Sequence, residues 1–151
     1  PDIVIHASGS GGTQAGLVVG AKAITPNTKV FGISVSEDKE TFGRDILSIA
    51  KETASAMGLD TSIHREDILV VDEYLGEGYG IVTKDVSDAI RLVATKEAIF
   101  LDPVYTGKAM TALFDLIKHG AVKKEDKVVF FHTGGTAALF PNKHKLTSFL
   151  K

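Results

Sequence analysis

The chain has 151 residues, 44% of them hydrophobic and 24% charged, with a formal net charge of -2. That length suits one domain able to bury roughly two thirds of its unfolded surface, and the near-neutral balance leaves no basic field for nucleic acid. No apolar run approaches the roughly 20 residues of a membrane span, no basic segment plus apolar stretch marks a signal peptide, and the lack of cysteine excludes a disulfide framework and thiol chemistry.

These features together lead us to expect a cytoplasmic protein. Pro1 is not an initiator methionine and the chain enters a strand almost at once, so the sequence reads as a piece of something longer. Ile3-Val4-Ile5 is a short apolar strand that runs into Ser8-Gly9-Ser10-Gly11-Gly12-Thr13 and leaves through small and apolar residues. Strand, glycine-rich turn and buried helix are the parts of an anion site, because glycines let backbone approach a ligand and the first helical amides lack intrahelical partners. Gly16 and Gly20, one helical turn apart, predict close packing of this helix on a sheet.

Lys29 to Val35 follows the turn signal Thr25-Pro26-Asn27 and reads as a second strand. A helical period then places Ile46, Ile49, Ala50, Thr53 and Met57 on one face, with Gly58 as the stop and Arg44, Lys51 and Glu52 in solvent. Ile68 to Val71 is a third strand, and it opens into Tyr74-Leu75-Gly76-Glu77-Gly78-Tyr79-Gly80, where three glycines and two tyrosines oppose regular structure. A helix follows, capped by Thr83, with Val86, Ile90 and Val93 inward and Lys84, Asp88 and Arg91 wet.

Ile99-Phe100-Leu101 reads as a further strand closed by Asp102-Pro103, and Met110, Leu113, Phe114 and Ile117 define a helix ending at Gly120. The last strand, Lys127 to Phe131, delivers His132-Thr133-Gly134-Gly135-Thr136 to a short helix. Alternating strands and helices with short connections predict an α/β fold, a parallel twisted sheet with helices on both faces. In such sheets ligands sit beyond the carboxyl ends of the strands, which gathers the loops at 8-13, 76-80, 102-107 and 132-136 into one site.

The first loop fails the dinucleotide fingerprint, because the third glycine position is Gln14, and it fails the P-loop for want of Gly-Lys-Ser or Gly-Lys-Thr. It also fails the Gly-x-Ser-x-Gly elbow, since Ser8 occupies the first glycine position. His6, His64, His119, His132 and His144 show no metal spacing and read as structural or surface residues. A phosphate cradle beside tyrosines and threonines suits a phosphorylated aromatic cofactor.

Ser10-Gly11-Gly12-Thr13-Gln14-Ala15-Gly16, Leu101-Asp102-Pro103-Val104-Tyr105-Thr106-Gly107-Lys108 and His132-Thr133-Gly134-Gly135 together resemble the D-cysteine desulfhydrase and 1-aminocyclopropane-1-carboxylate deaminase family. These are pyridoxal-phosphate enzymes of the tryptophan synthase β-subunit type, and the resemblance covers about the C-terminal half of a member. It implies that residues 1-151 belong to the cofactor-binding domain of a longer enzyme. The cofactor it implies is pyridoxal 5'-phosphate, held by the amides of Ser10, Gly11 and Gly12 and the hydroxyl of Thr13. Tyr105 resembles the tyrosine that lies against the pyridine ring, and Tyr79 the one that faces the substrate. Lys108 is expected on a helix or at the surface, not as a catalytic base.

Members that are deaminases carry glutamate where Thr106 stands, near the pyridine nitrogen, whereas desulfhydrase-like members carry threonine. A carboxylate keeps that nitrogen protonated and the ring a strong electron sink, while a neutral hydroxyl does not. Thr106 and Thr133 therefore favour β-elimination of D-cysteine to pyruvate, ammonia and hydrogen sulfide. Deamination of 1-aminocyclopropane-1-carboxylate, a D-amino-acid racemase or other lyase of the family, and a phosphate-ligand module without catalysis are the alternatives. The resemblance also implies a small amino-acid substrate and a homodimer. The family's Schiff-base lysine lies in the N-terminal half, so this chain by itself is expected to be inactive and to need the missing N-terminal segment.

Overall fold

The computed structural model describes residues 1-76 and 78-149; Glu77, inside the second glycine loop, and positions 150-151 lie outside the described residues. Four strands form one sheet: β1 (Ile3–Ser8), β2 (Lys29–Ser34), β3 (Leu69–Val71) and β4 (Val128–Phe130). Their order is β3-β2-β1-β4 and every pairing is parallel, with Ile5 opposite both Phe31 and Phe130. The helices are α1 (Gly12–Ile24), α2 (Lys39–Ala56), α3 (Lys84–Glu97), α4 (Thr106–Lys118) and α5 (Leu139–Ser148).

β1 is buried along its whole length, so its side chains feed two cores in turn. Val4 joins Val30, Ala15, Val18, Val19, Phe42 and Ile46 under α1 and α2. Ile3, Ile5 and Ala7 join Ile33, Val35, Ala109, Ala112 and Leu113 under α4 on the opposite face. Each fully buried isoleucine here contributes about 1.5–3 kcal/mol. Helices thus cover both faces of a parallel sheet, as the alternation predicts, and Val86, Ile90 and Val93 of α3 cluster with Met110 and Phe114 of α4 around Leu101 of the connector.

Several local expectations hold. Thr83 caps α3, accepting from the Val86 amide at 3.4 Å, and Asp38 caps α2, accepting from the Glu40 and Thr41 amides at 3.0 Å each. Others need correction. Residues 99-101 form no strand: Leu101 is buried, but Ile99 and Phe100 stand exposed, and the segment makes no ladder pairing. An apolar run of three cannot by itself tell a strand from an extended connector.

The buried stripe of α2 runs through Phe42, Gly43, Ile46, Ala50 and Ala54, and Met57 at its end is 64% exposed. In α4 the stripe is shifted onto Ala109, Ala112 and Leu113, leaving Ile117 51% exposed. Gly16 and Gly20 also depart from expectation, since a Cβ on either would meet nothing within 4 Å. The close-packed side of α1 is carried by Gln14, Ala15, Val18 and Val19 instead.

Candidate cofactor site

The carboxyl ends of β1 and β2 and the three later loops converge on a cleft of about 340 Å3 lined by Gly9, Ser10, Thr13, Ser36, Tyr79, Tyr105 and Thr133, among others. All four loops gathered from the sequence therefore contribute to it. A larger cavity of about 550 Å3 lies between α3 and α4 and includes none of the first glycine loop. The convergence of strand ends makes the smaller cleft the candidate ligand site.

The first loop leaves a helix start open. Gly11 is the N-cap of α1 at φ 80°, and no side chain caps the helix. The first intrahelical bond runs from the Ala15 amide to the Gly11 carbonyl at 2.9 Å, which leaves the amides of Gly12, Thr13 and Gln14 ahead of it. A Cβ on Gly11 would sit 2.9 Å from the Ile46 side chain, so both its left-handed backbone and its contact require glycine. Gly12, by contrast, faces open space, Ser10 and Thr13 are exposed, and the first turn carries no acidic residue. Positive helix-end potential, bare amides and two hydroxyls fit a phosphate.

Behind the loop, the strand and helix bury polar groups. His6 is fully buried with Nδ1 2.8 Å from the Ala7 carbonyl, and among the described residues His6 Nε2, Ser8 Oγ and Gln14 Oε1 have no hydrogen-bond partner. Burial holds the His6 imidazole below its usual pKa, against a smaller opposing effect of the Ala7 carbonyl. His6 is a structural histidine, in keeping with the sequence reading. Gln14 lies over Gly32 and donates from Nε2 to the Leu69 carbonyl at 2.9 Å, linking α1 to β3.

The third loop is organised by Asp102, which is fully buried. Its Oδ2 accepts from the amides of Val104 (2.8 Å) and Tyr105 (2.9 Å), and its Oδ1 from the Thr106 amide (2.8 Å) and hydroxyl (2.7 Å). This carboxylate caps α4, although Tyr105 is the N-cap by position. Thr106 Oγ1 in turn accepts from the Asp102 amide at 2.8 Å. The Thr106 hydroxyl is thus engaged as donor and acceptor, the residue is fully buried, and it is absent from the cleft lining.

Tyr105, next to it, does reach the cleft. Its ring edge lies where a Cβ of Gly9 would be 3.3 Å away, and its hydroxyl is 2.6 Å from that of Tyr79. The two rings meet edge to face with centroids 6.1 Å apart. The bond from Tyr79 raises the Tyr105 phenol above its usual pKa, with desolvation and the Asp102 charge adding to it. Tyr105 is accordingly protonated at neutral pH.

The fourth loop brings Thr133 to the cleft. Its neighbour His132 bridges the loop: Nδ1 accepts from the Gly134 amide at 3.0 Å, so Nε2 carries the hydrogen that it donates to the Phe100 carbonyl at 3.0 Å. Gly135, at φ 93°, lies so close to Asp102 that a Cβ would be 2.8 Å from its Cγ. Asp102 therefore abuts the last loop as well as capping α4.

Of the residues singled out from sequence, Ser10, Thr13, Tyr79, Tyr105 and Thr133 line the cleft, Gly11 and Gly12 form the helix start beside it, and Thr106 lies behind it. Ser36 went unnoticed and Val35 was read only as the end of the second strand, although both follow β2 and the rule of strand carboxyl ends points to them. Asp102 and Lys108 were also missed in their roles. Lys108 does stand on a helix, α4, but not at the surface: among the described residues it is the largest fully buried side chain, and its ammonium donates to the carbonyls of Leu75 (2.7 Å) and Gly78 (3.2 Å).

A parallel sheet with a bare helix end and aromatic hydroxyls at its carboxyl edge has the parts that a phosphorylated cofactor requires. The family model described as "Pyridoxal-phosphate dependent enzyme" matches residues 1–134, and the chain belongs to that family, whose cofactor is pyridoxal phosphate. Among its relatives, a Pyrococcus furiosus protein described as "Putative 1-aminocyclopropane-1-carboxylate deaminase" is 41% identical over 149 residues, which are 99% of this chain and 44% of that protein.

A solved structure titled "Crystal Structure Analysis of the ACC deaminase homologue" superposes with a TM-score of 0.88 at 36% identity, covering 98% of this chain and 44% of that one. The processed form of threonine deaminase isoform 2 from Solanum lycopersicum shares the fold, with a TM-score of 0.56 at 22% identity over 98% of this chain and 41% of its own. The chain thus spans less than half the length of these relatives.

Proposed function

We propose that this chain is the cofactor-binding C-terminal half of a pyridoxal-phosphate-dependent lyase of the D-cysteine desulfhydrase type, acting on a small amino acid by β-elimination. Pyridoxal phosphate, when bound, supplies the electron sink that chemistry at an amino acid's α-carbon requires. The bare amides at the start of α1, with Ser10 and Thr13, would hold the phosphate, Tyr105 would supply the aromatic surface for the ring, and Tyr79, hydrogen-bonded to Tyr105, would be the hydroxyl nearest the substrate.

The observation that carries the reading is the composition of the cleft wall. Among the described residues no carboxylate lines it, and the hydroxyls there are those of Ser10, Thr13, Ser36, Tyr79, Tyr105 and Thr133. A ring nitrogen set against these hydroxyls would meet neutral groups, which would suit expulsion of a good leaving group better than the opening of a cyclopropane. Thr106 acts in this by being neutral and closed onto Asp102, and Thr133 is the hydroxyl we assign to the nitrogen.

Exposed apolar residues at the β4 edge support a missing partner half. Val129 and Phe131 are 43% and 44% exposed, beside exposed Ile99 and Phe100, and the relatives carry more than as much chain again. We assign the Schiff-base lysine to that other half, so the isolated chain is inactive.

With the N-terminal half restored, D-cysteine should release sulfide and pyruvate. Ammonia release from 1-aminocyclopropane-1-carboxylate without sulfide from D-cysteine would establish the deaminase reading instead, which the description of the Pyrococcus furiosus relative favours. A borohydride-stable pyridoxal adduct on one defined lysine of the isolated chain would sink the assignment to a missing half.

A further inference from the structure

A lysine whose charge is fully enclosed needs a reason, because burial opposes the ammonium form. Lys108 sits on the first turn of α4, three residues after Tyr105, and burial lowers its pKa. Its Nζ reaches 30 and 33 residues back along the chain, to the carbonyls of Gly78 and Leu75. These carbonyls belong to the second glycine loop, where Gly76, Gly78 and Gly80 all have positive φ (66°, 146° and 73°). A backbone of that kind loses much conformational freedom on ordering and has no ladder to hold it. The residue following Gly78 is Tyr79, which is 60% exposed and whose hydroxyl is bonded to Tyr105.

We infer that Lys108 is a positioning residue: its two bonds to the Leu75 and Gly78 carbonyls fasten the glycine loop to α4 and hold the Tyr79 hydroxyl on that of Tyr105. One helical turn then sets both partners of the tyrosine pair, Tyr105 directly and Tyr79 through the lysine. The inference deepens the proposed function, resting on it for the use of the pair in catalysis, while the fastening itself is independent of cofactor and substrate.

The chain has three tyrosines and no tryptophan, so phenolate absorbance follows them directly. The third, Tyr74, donates to Asp115 at 2.6 Å and is displaced well above the usual tyrosine range by burial and that carboxylate, which separates it from the pair. In the unmodified chain Tyr105 should titrate above 10.0. Lys108→Met should lower that midpoint as far as Tyr79→Phe does, and the double variant should add nothing further. A Lys108→Met chain that melts earlier but keeps the midpoint would reduce the lysine to a packing role and overturn the inference.

Acetylation of the native chain, read by mass spectrometry, gives a second measurement that needs no variant. Lys108 should react about tenfold or more slowly than exposed Lys51 and Lys84, since the loop must open first. Equal rates would overturn the inference even if Lys108→Met does not fold. Neither readout involves turnover, so failure of the D-cysteine assignment and failure of the fastening are distinguishable.

Discussion

The hydroxyl of Tyr79 lies 2.6 Å from that of Tyr105, although the residues are 26 positions apart and stand on different elements. This bond joins the second glycine loop to the start of α4 and raises the pKa of the Tyr105 phenol. Tyr79→Phe should bring the Tyr105 midpoint down toward 10.0 in a phenolate titration. Because Tyr79 is largely exposed, stability should change by less than about 1 kcal/mol. In the complete enzyme the loss should fall on turnover more than on cofactor retention.

Asp102 is a stability determinant that also shapes the site. Asp102→Ala leaves the amides of Val104, Tyr105 and Thr106 without their acceptor, two of them half-buried and one buried. Losing such charge-assisted bonds should cost about 3 kcal/mol or more in urea unfolding. Asp102→Asn, which keeps one acceptor, should cost less.

Two alanine substitutions in one glycine-rich stretch should act in opposite directions. Gly11→Ala meets left-handed backbone and the Ile46 side chain, and should destabilise by about 1–2 kcal/mol while weakening binding of pyridoxal phosphate. Gly16→Ala enters open space in the middle of α1 and should stabilise by about 0.5–1 kcal/mol. Thermal melts of both variants check the pair.

His6 predicts an acid-sensitive fold. Its folded pKa is lowered from 6.5, so the unfolded chain binds the proton more readily. Stability from this group is fully present above 6.5 and is lost as pH falls through the lower folded value. His6→Gln should flatten that limb of a plot of unfolding free energy against pH, leaving the neutral-pH limb parallel to the wild type.

Alternation of strand and helix, the glycine-rich loop from β1 into α1, the Thr83 cap and the convergence of four loops were all legible in the sequence. Each rests on a local pattern: period 2 or 3.6, a glycine where φ is positive, an oxygen three residues before an amide, or the rule that parallel strands end on one edge. The three linked motifs likewise lie each within eight residues, so a family resemblance could be drawn from them.

Three features were settled in three dimensions. Residues 99-101 have the composition of a strand, but pairing depends on what lies alongside, and no ladder forms there. The buried stripe of α4 turns toward β1 and β2, which hides Lys108 and exposes Ile117, because the contacts that orient a helix come from segments distant in the chain. The Thr106 hydroxyl turns to Asp102 while Thr133 lines the cleft, since a hydroxyl's partner is decided by competition among nearby donors and acceptors. Residue type and spacing placed these groups at one edge of a sheet, and only the packing of that edge chose which of them line the cleft.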